Sequence, residues 1–147
     1  MTDQNEQEFG IHSIYLKDVS FEAPNSPEMF KTQFQPEIQM NLNLETNALE
    51  ESVFEVVLSV TVSAKANDKV AFLVELQQAG VFTLRGFTDE NMGPMLGIYC
   101  PNVLFPYARE SVANLVSKGG FPQLLLEPVN FEALYAQHIE QQQGSVQ

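Results

Sequence analysis

The chain has 147 residues, 44% of them apolar, with a formal net charge of −12. That suffices for the core of one domain, and the charge excludes nucleic-acid backbones and anionic membranes as partners, because both would repel it at long range. The lone Cys100 makes no internal disulfide, no apolar run approaches a bilayer span, and the opening MTDQNEQEFG is polar where a secretory signal would be basic and then apolar, so the expected location is cytoplasmic, without membrane insertion. The acidity itself has two readings, attraction of basic partners or solubility alone.

Residues 1–10 read as a disordered acidic tail, 11–139 as one domain and 140–147 as a flexible end. From Ile11 to Glu22 the β-branched and aromatic residues predict a strand, with alternation imperfect enough to include a bulge. Pro24, Pro27 and Pro36 then forbid a regular element, although Met29, Phe30 and Phe34 are too apolar for an ordinary solvated loop. Ile38, Met40, Leu42 and Leu44 alternate with polar residues in a second strand. Phe54 to Val62 and Val70 to Leu84 give two more, with a turn at AKANDK and a bend or bulge expected at Gly80. Strands joined by short turns pair antiparallel, and helices that follow the sheet make the class α+β.

TDENMGPMLGIY (88–99) suggests a helical turn interrupted by Gly93 and Pro94. Ala108, Val112, Leu115 and Val116 then recur at helical spacing from Pro106 to Lys118, and Gly119 is placed to end that helix in the left-handed conformation. Asn130 is a suitable cap for a last helix carrying Phe131, Leu134, Tyr135, His138 and Ile139 on one stripe. Val53, Val57, Ala71 and Leu73 make the second sheet face partly apolar as well, which self-association would cover.

No catalytic constellation stands out. Cys100 with His12 or His138 lacks a nucleophile motif and reads better as a small core residue, and two histidines and one cysteine fall short of a metal-ligand set, so no cofactor or metal and no enzymatic activity are expected. Binding is better supported: Phe21, Phe30 and Phe34 near the long loop and Met40, Leu42 and Leu44 beside it can frame an apolar groove, or can simply be core.

Five blocks in order, IYLKDVSFEAPN (14–25), FEVVLSVTV (54–62), AFLVELQQAGVF (71–82), YCPNVLFPYARE (99–110) and FPQLLLEPVNFEALY (121–135), closely resemble the SecB family of bacterial protein-export chaperones. The resemblance implies a four-stranded antiparallel sheet followed by two helices, assembled as a dimer of dimers. It implies an ATP-independent holdase that binds unfolded preproteins in apolar grooves and hands them to the translocase motor SecA. Phe21, Phe34, Met40, Leu42, Leu44, Phe131 and Leu134 would contact client, and Asp18, Glu22, Leu73 and Glu75 would contact a basic module of SecA. Val74, Leu76, Gln78, Ala108, Val112 and Leu115 would lie at the oligomer interface. In two respects the chain departs from the family: Gly93, Pro94 and Met95 stand where members commonly carry Ala-His-Cys, and the tail lacks the usual acidic run. A carrier of small apolar ligands or lipids is the alternative of another class, and a purely structural oligomer a third.

Overall fold

Two tight turns set up the sheet. In the computed structural model, which describes residues 6–31 and 33–146 and side chains as far as Gln141 (Thr32 excepted), Asn67 and Asp68 both take left-handed backbone, with φ of 54° and 63°. A two-residue turn of this kind twists in the sense its flanking strands require, so β3 (Val53–Ala66) folds back on β4 (Lys69–Arg85). Glu51 and left-handed Ser52 make the equally short turn that joins β2 (Glu37–Glu50) to β3. β1 (Glu8–Glu22) then pairs with the far side of β4, giving an antiparallel sheet of order β1-β4-β3-β2.

This order explains the long proline-rich connection. β1 and β2 lie on opposite edges, about 14 Å apart at three inter-strand spacings, so the chain must cross the sheet to pass from one to the other. A 3-10 turn at Glu28–Lys31 helps it cross: Met29 is buried, and the Asn25 amide donates to the Val70 carbonyl at 2.9 Å. The irregularity expected in β1 is present as register breaks between Ile11 and Ser13 and between Leu16 and Asp18.

β1 begins at Glu8, so residues 8–10 join the sheet although the sequence reading places them in the tail; residues 1–5 lie outside the described residues. Phe9 holds this end down, with its ring 5.7 Å from Phe82 and edge-on to Tyr99 at 4.8 Å. At the other terminus, α3 (Phe131–Val146) continues through residues expected to be flexible. Asn130 caps it as expected, accepting the Ala133 N–H on Oδ1 at 3.0 Å.

A third departure concerns the helices. Thr88 accepts the Asn91 N–H at 3.3 Å and caps α1 (Asp89–Pro94), which passes without interruption through a π turn (Met95–Tyr99) into α2 (Cys100–Lys118). The Cys100 N–H reaches five residues back to the Met95 carbonyl. Such a widened turn lets a helix run on past Gly93 and Pro94, where a regular ladder would be strained. At the C-terminus of α2 the left-handed residue is Gly120 (φ 88°), not Gly119. Its N–H bonds the Ser117 carbonyl and the Phe121 N–H bonds that of Val116, which together close the last turn as a Schellman motif.

The core lies between α2 and the central strands. Val56, Leu58, Val60 and Val62 of β3 and Phe72, Val74, Leu76, Phe82 and Leu84 of β4 share the inner face, packed with Leu104, Ala108, Val112 and Val116 of α2. Each large apolar side chain so buried stabilises the fold by about 1.5–3 kcal/mol. Six residues expected at an oligomer interface lie on or near this core. Val74, Leu76, Ala108 and Val112 are at most 2% exposed within a single chain and have no surface left to offer another copy. Gln78 is also internal, donating its amide to the Tyr15 carbonyl at 3.1 Å, and Leu115 packs half-buried on the same core. The apolar stripe of α2 meets the chain's own sheet.

Gly80 proves to be a contact point, with no bend: β4 keeps its register there with both neighbours. A Cβ at Gly80 would stand 2.9 Å from Phe82 Cε2 and 3.1 Å from Leu104 Cδ2, so its absence lets α2 approach the sheet. Gly80→Val is expected to overpack this point and lower unfolding stability by about 1–3 kcal/mol, read from the urea midpoint. A neutral result would mean that α2 can move away from β4 at no cost.

Candidate functional site

One helix cannot cover four strands. α2 packs on β4 and β3, which leaves Met40, Leu42 and Leu44 on the inner face of β2 only half-buried. α3 roofs part of what remains. Between them lies a space of about 460 Å³, floored by Leu42, Leu44 and Leu58, walled by Gly93, Leu96 and Gly97, and roofed by Phe131, Leu134 and Tyr135. Asn43, Thr46, Gln137, His138 and Gln141 supply its polar rim, and among the described residues no Asp, Glu, Lys or Arg lines it. An apolar floor with polar donors and acceptors around it suits apolar side chains carried on a polar backbone.

The seven residues expected to contact client divide between two places. Leu42, Leu44, Phe131 and Leu134 line the cavity. Phe21 and Phe34 belong to an aromatic cluster on the core: Phe21 stacks on Phe72 at 6.2 Å, while Phe30, Phe34 and Phe72 each lie 5.2 or 5.3 Å from Phe121. Met40 follows Leu42 on the same face of β2 and packs half-buried on the core. The sequence reading missed the wall. Gly93 was read only as a helix interruption and Gly97 was not singled out, whereas their four-residue spacing puts both on one side of a helix that continues.

The other candidate surface is on the opposite face of the sheet. Asp18 pairs with Gln77, Ser20 with Glu75 and Glu22 with Leu73, so Asp18, Glu22, Leu73 and Glu75 share one patch, while the intervening Val19 and Phe21 turn inward with Leu76 and Val74. Asp18, Glu22 and Glu75 are exposed and Leu73 is half-buried.

Glu55 organises the same outer face further along. Although only 7% exposed, it accepts hydrogen bonds from the Tyr15 hydroxyl, from Lys17 Nζ at 3.0 Å and from Asn47 Nδ2 at 3.0 Å. The Tyr15 bond is the main cause that holds its carboxyl below the usual range, with Lys17 and Asn47 assisting against the opposing effect of burial. Burial and the Glu55 carboxylate push the Tyr15 hydroxyl up to about 12. Cys100 is fully buried and burial raises its thiol to about 12, so it holds little of the thiolate a nucleophile requires. Among the described residues there is no group of three or more His, Cys, Asp or Glu able to hold a metal ion, and no helix is long and apolar enough to cross a membrane.

Comparison with known proteins gives a consistent result. The family described as preprotein translocase subunit SecB matches residues 2–142. Proteins named protein-export protein SecB from Hydrogenovibrio crunogenus and Methylococcus capsulatus are 55% and 51% identical, over 99% and 100% of this chain and 98% and 97% of theirs. In fold, the chain is similar to a Mycobacterium tuberculosis SecB-like chaperone solved in complex with a ChAD peptide from an antitoxin, at 19% identity and a TM-score of 0.69 over 82% of this chain and 90% of that one.

The Glu55 cluster makes stability depend on pH at both ends. Glu55 has its pKa depressed on folding, so its contribution is present above the unfolded carboxylate value and lost as pH falls through the folded one. Tyr15 has its pKa raised, so its contribution is complete below about 10 and lost as pH rises towards 12. Glu55→Gln is expected to cost about 1–3 kcal/mol at neutral pH and to flatten the acid limb in denaturant titrations. An unchanged acid limb would reject Glu55 as its source.

Proposed function

We propose that this chain, which belongs to the SecB family of protein-export proteins, acts as an ATP-independent holding chaperone that takes unfolded preproteins into the groove between β2 and α3. The observation that carries this reading is the half-open apolar floor of Leu42 and Leu44 beneath Phe131 and Leu134. A folded protein hides the extended apolar segments that such a groove accepts, so selection is for unfoldedness and not for one sequence. No step of this action calls for a catalytic group.

Handover to SecA is assigned to the patch of Asp18, Glu22, Leu73 and Glu75. Its carboxylates and the net charge of −12 favour a basic module. Because the patch and the groove occupy opposite faces of one sheet, motor and client can be held at the same time.

The working form is a cytoplasmic homotetramer, a dimer of dimers. What supports association is apolar surface left outside the core, namely Ile11, Leu16 and Val19 on edge strand β1 and Tyr107 on the outer side of α2, each 43–50% exposed. Several grooves in one assembly make later contacts with the same client intramolecular, a gain of about 10²–10⁴ in avidity.

Leu134 is 42% exposed, so Leu134→Asp can be made with little effect on folding; it is expected to weaken binding of an unfolded preprotein by about tenfold, since a carboxylate loses water on entering the apolar roof. Equal affinity for a slowly folding preprotein and its folded form would overturn the holdase reading, and one compact apolar ligand per chain would favour a carrier instead. Asp18→Lys with Glu75→Lys should abolish most SecA binding while client binding persists; unchanged SecA affinity would reject that patch. Light scattering should give four times the chain mass of 16.5 kDa, and a monomer would remove the tetramer from the proposal.

A further inference from the structure

We infer that Tyr135 is the positioning residue that sets how far the groove opens, by seating its ring on the bare backbone of Gly93 and Gly97. A Cβ at Gly97 would stand 2.5 Å from Tyr135 Cδ1 and 2.8 Å from Cε1, and one at Gly93 would overlap the Tyr135 hydroxyl oxygen. The ring therefore lies directly along the turn in which α1 passes into the π turn, at a distance only two glycines permit. All three residues line the cavity.

α3 buries few other side chains among the described residues. Phe131 fixes its first turn, 4% exposed and edge-on to Phe105 at 5.9 Å. Glu132, Ala133, Leu134, Ala136, Gln137 and His138 are all exposed, and Ile139 is half-buried. Tyr135 lies one turn beyond Phe131 on the same side of the helix, so Phe131 is the pivot and Tyr135 sets the height of the roof. With the ring seated, the groove has its present size; with the ring withdrawn, α3 lifts and the space it occupied joins the groove. The seat thus selects which segments enter: slim apolar side chains fit beneath the seated ring, and bulky ones require its withdrawal. This role rests on the proposed groove for its consequence in binding, but the seat itself does not.

Amide hydrogen exchange on the full chain separates the two. Gly97→Ala should displace the ring and speed exchange of the α3 amides by about tenfold, and Tyr135→Ala should do the same, because either change removes the second anchor. Tyr135→Phe should keep the protection, since the ring supplies most of the contact. In the Tyr135→Ala background Gly97→Ala should add nothing, as the methyl then meets no ring; this distinguishes the seat from a general weakening of the helix. Stopped-flow association of an unfolded preprotein should be several-fold faster for Gly97→Ala and Tyr135→Ala than for the parent. Unchanged α3 protection in Gly97→Ala, or an equal further loss in the double variant, would overturn the seat. Unchanged association despite lost protection would overturn its control of the groove. If the parent chain bound no unfolded protein at all, the groove reading would fail while the exchange pattern still decided the seat.

Discussion

The width of one helix against the width of four strands is the constraint from which the rest follows. A helix with its side chains is about 10–12 Å across, whereas the outer strands of this sheet lie about 14 Å apart before their side chains are counted. α2 sits over β4 and β3 and closes the core there, with Val60, Val62, Val74, Val112 and Val116 all fully buried. The inner faces of β1 and β2 extend beyond its reach. On β2 the uncovered stripe becomes the floor of the groove, and on β1 it leaves Ile11, Leu16 and Val19 in contact with solvent. Both surfaces to which function is assigned on the inner side are thus remainders of one packing arrangement.

The two faces of the sheet are chemically separate. On the inner side no Asp, Glu, Lys or Arg among the described residues lines the groove, which suits an apolar segment that must be desolvated to bind. On the outer side the exposed carboxylates Asp18, Glu22 and Glu75 stay in water, where charge steers partners at little cost in desolvation. Glu55 is the exception, a nearly buried carboxylate on that side, and it is tolerated because three donors meet it. Tyr15 and Lys17 come from β1 and Asn47 from β2, so the network on Glu55 of β3 also draws both edge strands to the centre of the sheet.

Much of this was legible in the sequence, and the limits are physical. Strict alternation in Met40, Leu42 and Leu44 identified a half-buried strand, because a period of two leaves no other arrangement, and Leu42 and Leu44 of that strand floor the cavity. The helical spacing of Ala108 and Val112 was equally clear, but periodicity reports that a face is apolar and not which surface covers it. Within this chain the stripe packs on the sheet. Phe21 and Phe34 were drawn towards the groove by their proximity to the long loop, whereas they pack on rings far along the chain, Phe21 on Phe72 and Phe34 on Phe121. Glycine misled twice for one reason. Gly80 and Gly93 read as breaks, since a missing side chain costs order locally, and Gly97 drew no reading; the structure uses the same absence for close approach, which depends on Leu104 and Tyr135, 24 to 42 residues away.

The helix that covers the groove is weakly held, and this follows from how little α3 buries. A helix of 16 residues draws most of its stability from an apolar face packed on something else. Here Phe131 is the one residue of α3 that is buried outright among the described side chains, with Tyr135 and Ile139 half-buried behind it. α2, by comparison, buries eight residues and is terminated by a closed hydrogen-bonded motif. Local opening free energies track such differences in burial, so α3 can leave the sheet while α2 and the four strands remain folded. A groove that must admit segments of many shapes needs a roof of this kind: held closely enough to exclude water from Leu42 and Leu44 when closed, and loosely enough that a client's own apolar contacts can displace it. Were α3 as deeply packed as α2, the cavity would be a fixed pocket suited to one compact ligand, and the chain would read as a carrier instead of a chaperone.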